Sequence, residues 1–502
     1  MASVTYSSGI VIPSAWLNDV DYTSYGVKRY GAVGDGVTDD TNAIQDCLDN
    51  EDDIYFPPGD YLVTGTLTKT GSDWRIRGAG RLQTSIVVGA GTFDVLQLGN
   101  TGDTLNNVKV HDLTFRSSVG TRSGGAFIHG VGRLVDGLFD TLHFRNGFTS
   151  IKACAPARTY FENIWIDENN KSSSTEYGFN FYNDNFTSGG SPAKTTDVHL
   201  TNCQIRGDQT YPFTACLRVN SMDGLYLVNC HLIDGTSCVL FDPDDGTYQK
   251  TCASFQAANC YFDRTPGAHV RFSGTASTAY RNFYFSNCQF RQADGTDGSI
   301  VIDLTSGTLS RLNIVGCTIR DNEASGILSL NSGVSEAVIS GTQFAGNNGG
   351  AVATDGDISG VFTNSMVSGC SFHTGDAAGF GVRIISPSAG NLVSGCNFFS
   401  STAGTKYSAV TGANNVQSAC HGISGVTRGT TTITNPATSV TVTHSQYTQP
   451  NPSDITVTQT TTGTPVDAFV VTNITATTFD IVVDAAPTTS IGFAWRVDSQ
   501  MR

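Results

Sequence analysis

A six-residue pattern recurs through the middle of the chain: apolar, any residue, Asn or Gly, Cys, any residue, apolar. It reads Leu200-Thr201-Asn202-Cys203-Gln204-Ile205, then Leu227-Val228-Asn229-Cys230-His231-Leu232, Ala257-Ala258-Asn259-Cys260-Tyr261-Phe262 and Phe285-Ser286-Asn287-Cys288-Gln289-Phe290. Four more copies centre on Cys317, Thr342, Cys370 and Cys396, with Gly316, Gly341, Gly369 and Gly395 in the Asn position. Successive copies lie 27, 30, 28, 29, 25, 28 and 26 residues apart. A period of that length suits one coil of a β-solenoid, in which each coil buries its apolar side chains against its neighbours. Degenerate copies at Asp112-Leu113, Thr141-Leu142 and Asn163-Ile164 carry the repeat back to residue 108, and it runs on to residue 400.

The Asn/Gly column has a backbone cause, because these residues tolerate positive φ. Apolar residues fall at Val198 and Leu200 before it and at Cys203 and Ile205 after it, so the alternation slips by one. A single strand cannot do this and keep one face buried, whereas two strands meeting at a sharp corner can. The Cys column then stacks inside as small hydrophobes, about 4.8 Å apart. A zinc or disulfide ladder is disfavoured because paired CxxC spacing is absent. Each coil adds a further strand, at Cys216 to Val219, Cys238 to Phe241, Val270 to Phe272, Ile300 to Ile302 and Ile327 to Leu330. The expected fold is all-β, a single-stranded parallel β-helix.

Composition agrees. Only 15% of the 502 residues are charged and 55 are Gly. A formal net charge of -15 without clustered Lys and Arg argues against a nucleic-acid partner. No apolar run reaches the roughly 18 residues of a membrane span, and the opening residues lack the pattern of a secretory signal. An odd total of 13 Cys favours thiols over disulfides.

The stretch Val27-Lys28-Arg29-Tyr30-Gly31-Ala32-Val33-Gly34-Asp35-Gly36-Val37-Thr38-Asp39-Asp40-Thr41-Asn42-Ala43-Ile44-Gln45 continues into Ile54-Tyr55-Phe56-Pro57-Pro58-Gly59-Asp60-Tyr61. It resembles the opening of the pectate-lyase-like superfamily common in phage tailspikes. The resemblance implies a right-handed β-helix whose open end is plugged by a short amphipathic helix, residues 40 to 49, capped by Thr38 or Asp39. The Gly-rich loop at 31 to 36 lacks the GxGxxG spacing of a phosphate cradle. Residues 1–24, with Trp16-Leu17-Asn18-Asp19-Val20-Asp21, resemble the short head segment of phage tail fibres, which implies attachment to a phage tail or baseplate protein. Beyond residue 420 the repeat gives way to five alternating Thr- and Val-rich segments, Ser439 to Thr443, Ile455 to Thr462, Phe469 to Val471, Thr478 to Val483 and Ile491 to Val497. These read as an antiparallel β-sandwich that resembles trimer clamps and small lectins. The expected organisation is a head at 1–24, a cap and first coils at 25–107, the β-helix at 108–420 and the sandwich at 421–502.

The resemblance supplies no catalytic set, so candidates rest on geometry. Glycoside hydrolysis uses two carboxylates about 5 to 9.5 Å apart. Asp242 and Asp303 end two copies of the further strand with Ser273 at the end of the copy between them, so they are two coils apart at roughly 9.6 Å. The turn Asp242-Pro243-Asp244-Asp245-Gly246 adds Asp245, although its composition equally suits a solvated turn. A second candidate face is the row Trp165, Gln204, His231, Tyr261 and Gln289 beside Asp167, Arg206, Ile233, Asp263, Arg291 and Arg320. There aromatic rings and Arg would hold sugars, unless Asp263 merely neutralises Arg291. A third is a long insertion between Asp167 and Ala193 with Glu168, Glu176, Tyr182 and Asp184. No metal or cofactor is expected.

The expected function is a homotrimeric virion spike, made in the host cytoplasm, that binds and depolymerises a bacterial surface polysaccharide, by endo-glycosidic hydrolysis ahead of lyase chemistry. A lyase acting by β-elimination with Tyr or His as base, or a receptor-binding spike without catalysis, is the alternative. The sequence names neither the polymer nor the host.

Overall fold

The computed structural model describes residues 26–497 except 90, 120–121, 168–174, 184–186, 189–190, 243–250, 275–278, 295–297, 305–306, 330–332, 348–355, 375–379, 386, 401–406, 409–414, 419, 421–427, 445–449, 461–467 and 476–477. The expected head segment, 1–24, lies outside the described residues. The chain divides into two compact units, Met1–Asp294 with Leu304–Gly307, and Gly295–Asp303 with Thr308–Arg502.

In the first unit each coil gives one strand to each of three parallel sheets, as in Val198–Thr201, Gln204–Arg206 and Phe213–Val219. These are called sheets 1, 2 and 3. The expected corner lies between sheets 1 and 2. Asn202, Asn229, Asn259 and Asn287 take φ of 54°, 54°, 54° and 52° there, and Asp112, Thr141 and Asn163 do the same in the earlier coils. In the second unit Gly316, Gly341, Gly369 and Gly395 hold the corner at 64°, 56°, 60° and 60°. Asn side chains also bond along the column: Asn229 Nδ2 donates to Asn202 Oδ1 at 3.3 Å, and Asn202 Nδ2 to Asn163 Oδ1 at 3.5 Å.

Val198, Leu200, Cys203 and Ile205 are all buried, so the one-residue slip is the corner itself. Behind it the Cys column bonds from coil to coil. Cys203 Sγ donates to Phe161 O at 3.4 Å and Cys230 Sγ to Leu200 O at 3.3 Å. None of the thirteen cysteines is in a disulfide. The hydrogen bond with Cys230, together with burial, pushes the Cys260 thiol up to about 12, which makes it inert at neutral pH. Inside the coils Phe side chains at one register stack directly: Phe262 on Phe290 at 4.7 Å, Phe139 on Phe161 at 5.0 Å, and in the second unit Phe372 on Phe398 at 4.8 Å. Each spacing is close to the inter-strand distance of about 4.8 Å.

The capping helix spans Thr41–Asn50, one residue later than expected, and buries Ile44, Cys47 and Leu48. Asp40 stands at its N-cap position, but its carboxylate points back and accepts the Val33 and Gly34 amides at 2.6 and 3.0 Å. Asp39, one of the two expected caps, accepts the first helical amide, that of Thr41, through Oδ1 at 3.0 Å. Gln45 bonds both the amide and the carbonyl of Thr68, and Lys69 Nζ donates to the terminal carbonyls of Leu48 and Glu51 at 2.7 and 2.8 Å. The helix therefore docks along the strand Leu67–Lys69 and covers a sheet edge.

Among its described residues the C-terminal part has six strands where five were expected, because Arg428–Ile433 is also a strand. It forms two three-stranded antiparallel sheets. They share a core of Ile433, Val442, Phe479, Ile481, Val483, Ile491, Phe493, Trp495 and Val497, with Phe479 of one sheet edge-on to Trp495 of the other at 5.7 Å. This is the expected sandwich.

A polar cluster lies within the second unit. Asn322 Nδ2 donates to Asn347 Oδ1 at 2.7 Å, and Asn347 Nδ2 donates to Asp357 Oδ1 at 2.7 Å and to Ile319 O at 3.1 Å. Asp357 Oδ2 has no partner among the described residues. Burial, only partly offset by the Asn347 bond, pushes the Asp357 carboxyl up to about 7.

Two predictions follow from these contacts. Asn229→Gly keeps the left-handed corner, whereas Asn229→Leu imposes a penalty of about 1–2 kcal/mol, so denaturation midpoints should fall clearly only for Leu. For Asp357 the folded value lies above an unfolded one of about 3.9, so its ionisation destabilises the fold progressively as pH rises from about 4 to about 7. Asp357→Asn should therefore raise the melting temperature at pH 8, leave it nearly unchanged at pH 4 and flatten the profile between them, as read by thermal scans across that range.

Candidate functional site

Strand alternation sends every second side chain of sheet 3 outward, and parallel register then gathers them into rows. One row runs Gln97, His129, Lys152, Asn180, Arg218, Leu240 and Arg271. His129 stands between the buried Ile128 and Gly130 on the long strand Ala126–Val135. Asp94 precedes the strand Leu96–Leu98 and turns its carboxylate onto this row. Tyr182 ends the strand Thr175–Tyr182, with its ring packed among Cys154, Ala155 and Ala193.

These residues form one hydrogen-bonded line. Asp94 Oδ2 lies 2.6 Å from His129 Nδ1, and His129 Nε2 lies 2.8 Å from the Tyr182 hydroxyl. Asp94 Oδ1 accepts the Ala126 amide at 2.8 Å. Burial alone would raise the Asp94 pKa, but the bonds from His129 and Ala126 outweigh it and hold the carboxyl below its ordinary value. When the imidazole beside an ionised Asp94 is neutral, its proton sits on Nδ1 and Nε2 accepts from the Tyr182 phenol. Lys152 Nζ sits 4.7 Å from the centre of the Tyr182 ring. The arrangement is a tyrosine whose proton has a place to go, with a cation over its ring.

Further along the row Arg218 donates to Asp242 Oδ2 through Nη2 at 3.2 Å and Nε at 3.4 Å, and through Nη1 to Asn180 Oδ1 at 3.4 Å. Its guanidinium lies 5.6 Å from the Tyr177 ring centre. Burial raises the Tyr177 pKa against the opposing charge of Arg218.

Among the residues singled out from the sequence, Tyr182 enters this line, and Asp242 bonds Arg218 further along the row. Part of the stretch read as an insertion loop, Thr175–Tyr182, is a strand of sheet 3, because Tyr177, Phe179 and Phe181 alternate into its ladder. Glu168, Asp184 and Asp245 lie outside the described residues. Asp303 is half-buried in the second unit, on the strand Ile300–Leu304. The sheet 2 rows form as expected: Trp165, Gln204, His231, Tyr261 and Gln289 in one, with Asp167, Arg206, Ile233, Asp263 and Arg291 in the next. Trp165 is 43% exposed, with the Arg81 guanidinium 3.9 Å from its ring centre. His231 packs on Tyr261 at 4.6 Å, and burial lowers its pKa. Arg206 is turned toward the buried Asp234, 3.8 Å away, which Arg264 also binds at 2.8 Å. Asp94, His129, Lys152 and Arg218 were not singled out. Arg218 was within reach, as the outward residue of the recognised Cys216 to Val219 strand. Asp94, His129 and Lys152 lie in coils where the Cys signature is degenerate.

The architecture is that of the single-stranded parallel β-helix proteins, a class that includes phage spikes and polysaccharide-acting enzymes. This chain belongs to the family described as rhamnogalacturonase A/epimerase, pectate lyase-like, which matches residues 24–297, and residues 298–471 match a right handed beta helix region. The pre-neck appendage protein of Bacillus phage phi29 is 24% identical over 270 residues, which is 51% of this chain and 28% of that protein. The chain thus spans under a third of the length of that relative. The tailspike gp61 of Pseudomonas phage phi297 superposes with a TM-score of 0.51 at 11% identity, covering 94% of this chain and 98% of that one. The A-module of an Azotobacter vinelandii mannuronan C-5 epimerase gives 0.49 at 15%, covering 79% of this chain and 99% of that module.

Proposed function

We propose that this chain is a phage tailspike that binds and cleaves an acidic bacterial surface polysaccharide by β-elimination. The observation that carries the chemistry is the line Asp94, His129, Tyr182 with Lys152 over the tyrosine ring. Asp94 keeps the proton of His129 on Nδ1, and Nε2 takes the Tyr182 phenol proton. The phenolate removes the proton from C5 of a uronosyl residue whose carboxylate Lys152 and Arg218 neutralise. The C4–O4 bond breaks, a C4=C5 double bond forms and the electron pair leaves on O4. That oxygen takes a proton from Tyr182, which regains one from His129, so the enzyme returns to its starting state. The similarity to phage spikes supports the virion setting, and the N-terminal segment is assigned to the tail or baseplate.

Hydrolysis is the second reading, favoured by Asp242 at the edge of the same row. Incubation with purified acidic and neutral surface polysaccharides, followed by reducing-end assay and absorbance near 235 nm, separates the two. Elimination yields both signals, hydrolysis yields reducing ends alone, and neither signal across a broad panel favours a binding-only spike. Tyr182→Phe should lower the 235 nm rate by about 100-fold or more while leaving polymer binding intact. We also assign a homotrimer, since a solenoid wall gains from symmetric burial. Light scattering should give three chains per particle, and a stable monomer would overturn that assignment.

A further inference from the structure

Arg122 is 1% exposed, yet its Nε and Nη1 have no hydrogen-bond partner among the described residues. The Phe93 and Phe127 rings, whose centres lie 5.1 and 5.8 Å from the guanidinium carbon, attract its charge but give Nε and Nη1 no acceptor. A methionine would fill such a space without the desolvation penalty of a guanidinium. Departures of this kind from folding logic concentrate where a site needs them.

The one bond Arg122 makes leads to the site. Its Nη2 donates at 2.5 Å to the carbonyl of Phe93, the residue before Asp94. The segment around it closes on the same place. The Ala126 amide holds Asp94 Oδ1 at 2.8 Å, the Val95 amide donates to Ala126 O at 2.9 Å, and Gly125, at φ 74°, lies so close that a Cβ would come within 2.2 Å of Phe93 O. Asp94 is the carboxylate whose charge reaches Arg122.

We infer that Arg122 is a positioning residue that fixes Asp94 and, through its buried charge, holds His129 neutral so that Nε2 stays open to the Tyr182 proton. The inference rests on the elimination reading for its catalytic meaning. The charged and titratable groups facing His129 are Asp94 and Tyr182, with Lys152 across the Tyr182 ring. Asp94 favours the imidazolium. Lys152, beside His129 in the row, and Arg122, whose charge interacts with Asp94, both work against it.

The sign follows directly. Removing a positive charge near the Asp94–His129 pair raises the pKa of His129, so the acid limb of the cleavage rate, where His129 loses its proton, should move to higher pH. Arg122→Met and Arg122→Gln should each move it up by roughly one pH unit, while Arg122→Lys, which keeps the charge, should leave it near its native position. A purely structural role would lower the rate equally at every pH and would be no better rescued by Lys. The activity-independent readout is NMR titration of 13C-labelled histidine, with the His129 signal assigned by its loss in His129→Gln. The same upward shift is expected there for both neutral variants. An unmoved His129 titration in whichever neutral variant folds would overturn the inference. A shifted titration alongside native cleavage by Tyr182→Phe would overturn the elimination reading and leave the electrostatic role standing.

Discussion

The left-handed corner between sheets 1 and 2 is the constraint on which the structure depends. At Asn202, Asn229, Asn259 and Asn287, and at the equivalent glycines, the chain turns within one residue and changes which parity of side chain faces inward. Only a residue that accepts positive φ can stand there, and a buried apolar side chain fills the place directly behind it, Cys in most of the later coils and Leu113, Leu142 or Ile164 in the earlier ones. The Cys column meets the second demand, and its thiols also donate to carbonyls of the preceding coil. Repetition of this corner fixes the register of one coil on the next.

Fixed register has a chemical consequence. Outward side chains separated by some 20 to 40 residues in sequence become neighbours at about 4.8 Å. His129, Lys152, Asn180 and Arg218 lie in one row for this reason. Backbone strands hold them, so the wall that presents them is ordered before anything meets it. The coupling of Asp94 to His129 and of His129 to Tyr182 then comes from side chains reaching across coils on a rigid wall.

The two units each bury a charge-bearing group that folding alone does not require. Asp357, within the second unit, is raised toward neutrality by burial with one hydrogen bond to offset it. Arg122 is different, because its carbonyl partner and the clamp of residues 122–126 tie it to Asp94. Burial penalises both, but of the two it is Arg122 that is linked to the Asp94–His129–Tyr182 line.

The period, the corner and the stacked column were legible in the sequence because each is local: a residue type recurs where a backbone conformation recurs. The same holds for the sheet 2 rows, which follow from counting one and three residues past each Cys, and for the sandwich, although its strand Arg428–Ile433 carries no apolar alternation to mark it. The line on sheet 3 was not legible. It needs the register of coils in which the Cys signature has decayed, and it needs Thr175–Tyr182 to be a strand although the residues before it read as a loop. The sequence by itself determined the solenoid, since φ preference and side-chain parity act within a few residues. Tertiary structure alone decided which of the outward polar residues meet, since that depends on the exact length of every intervening turn.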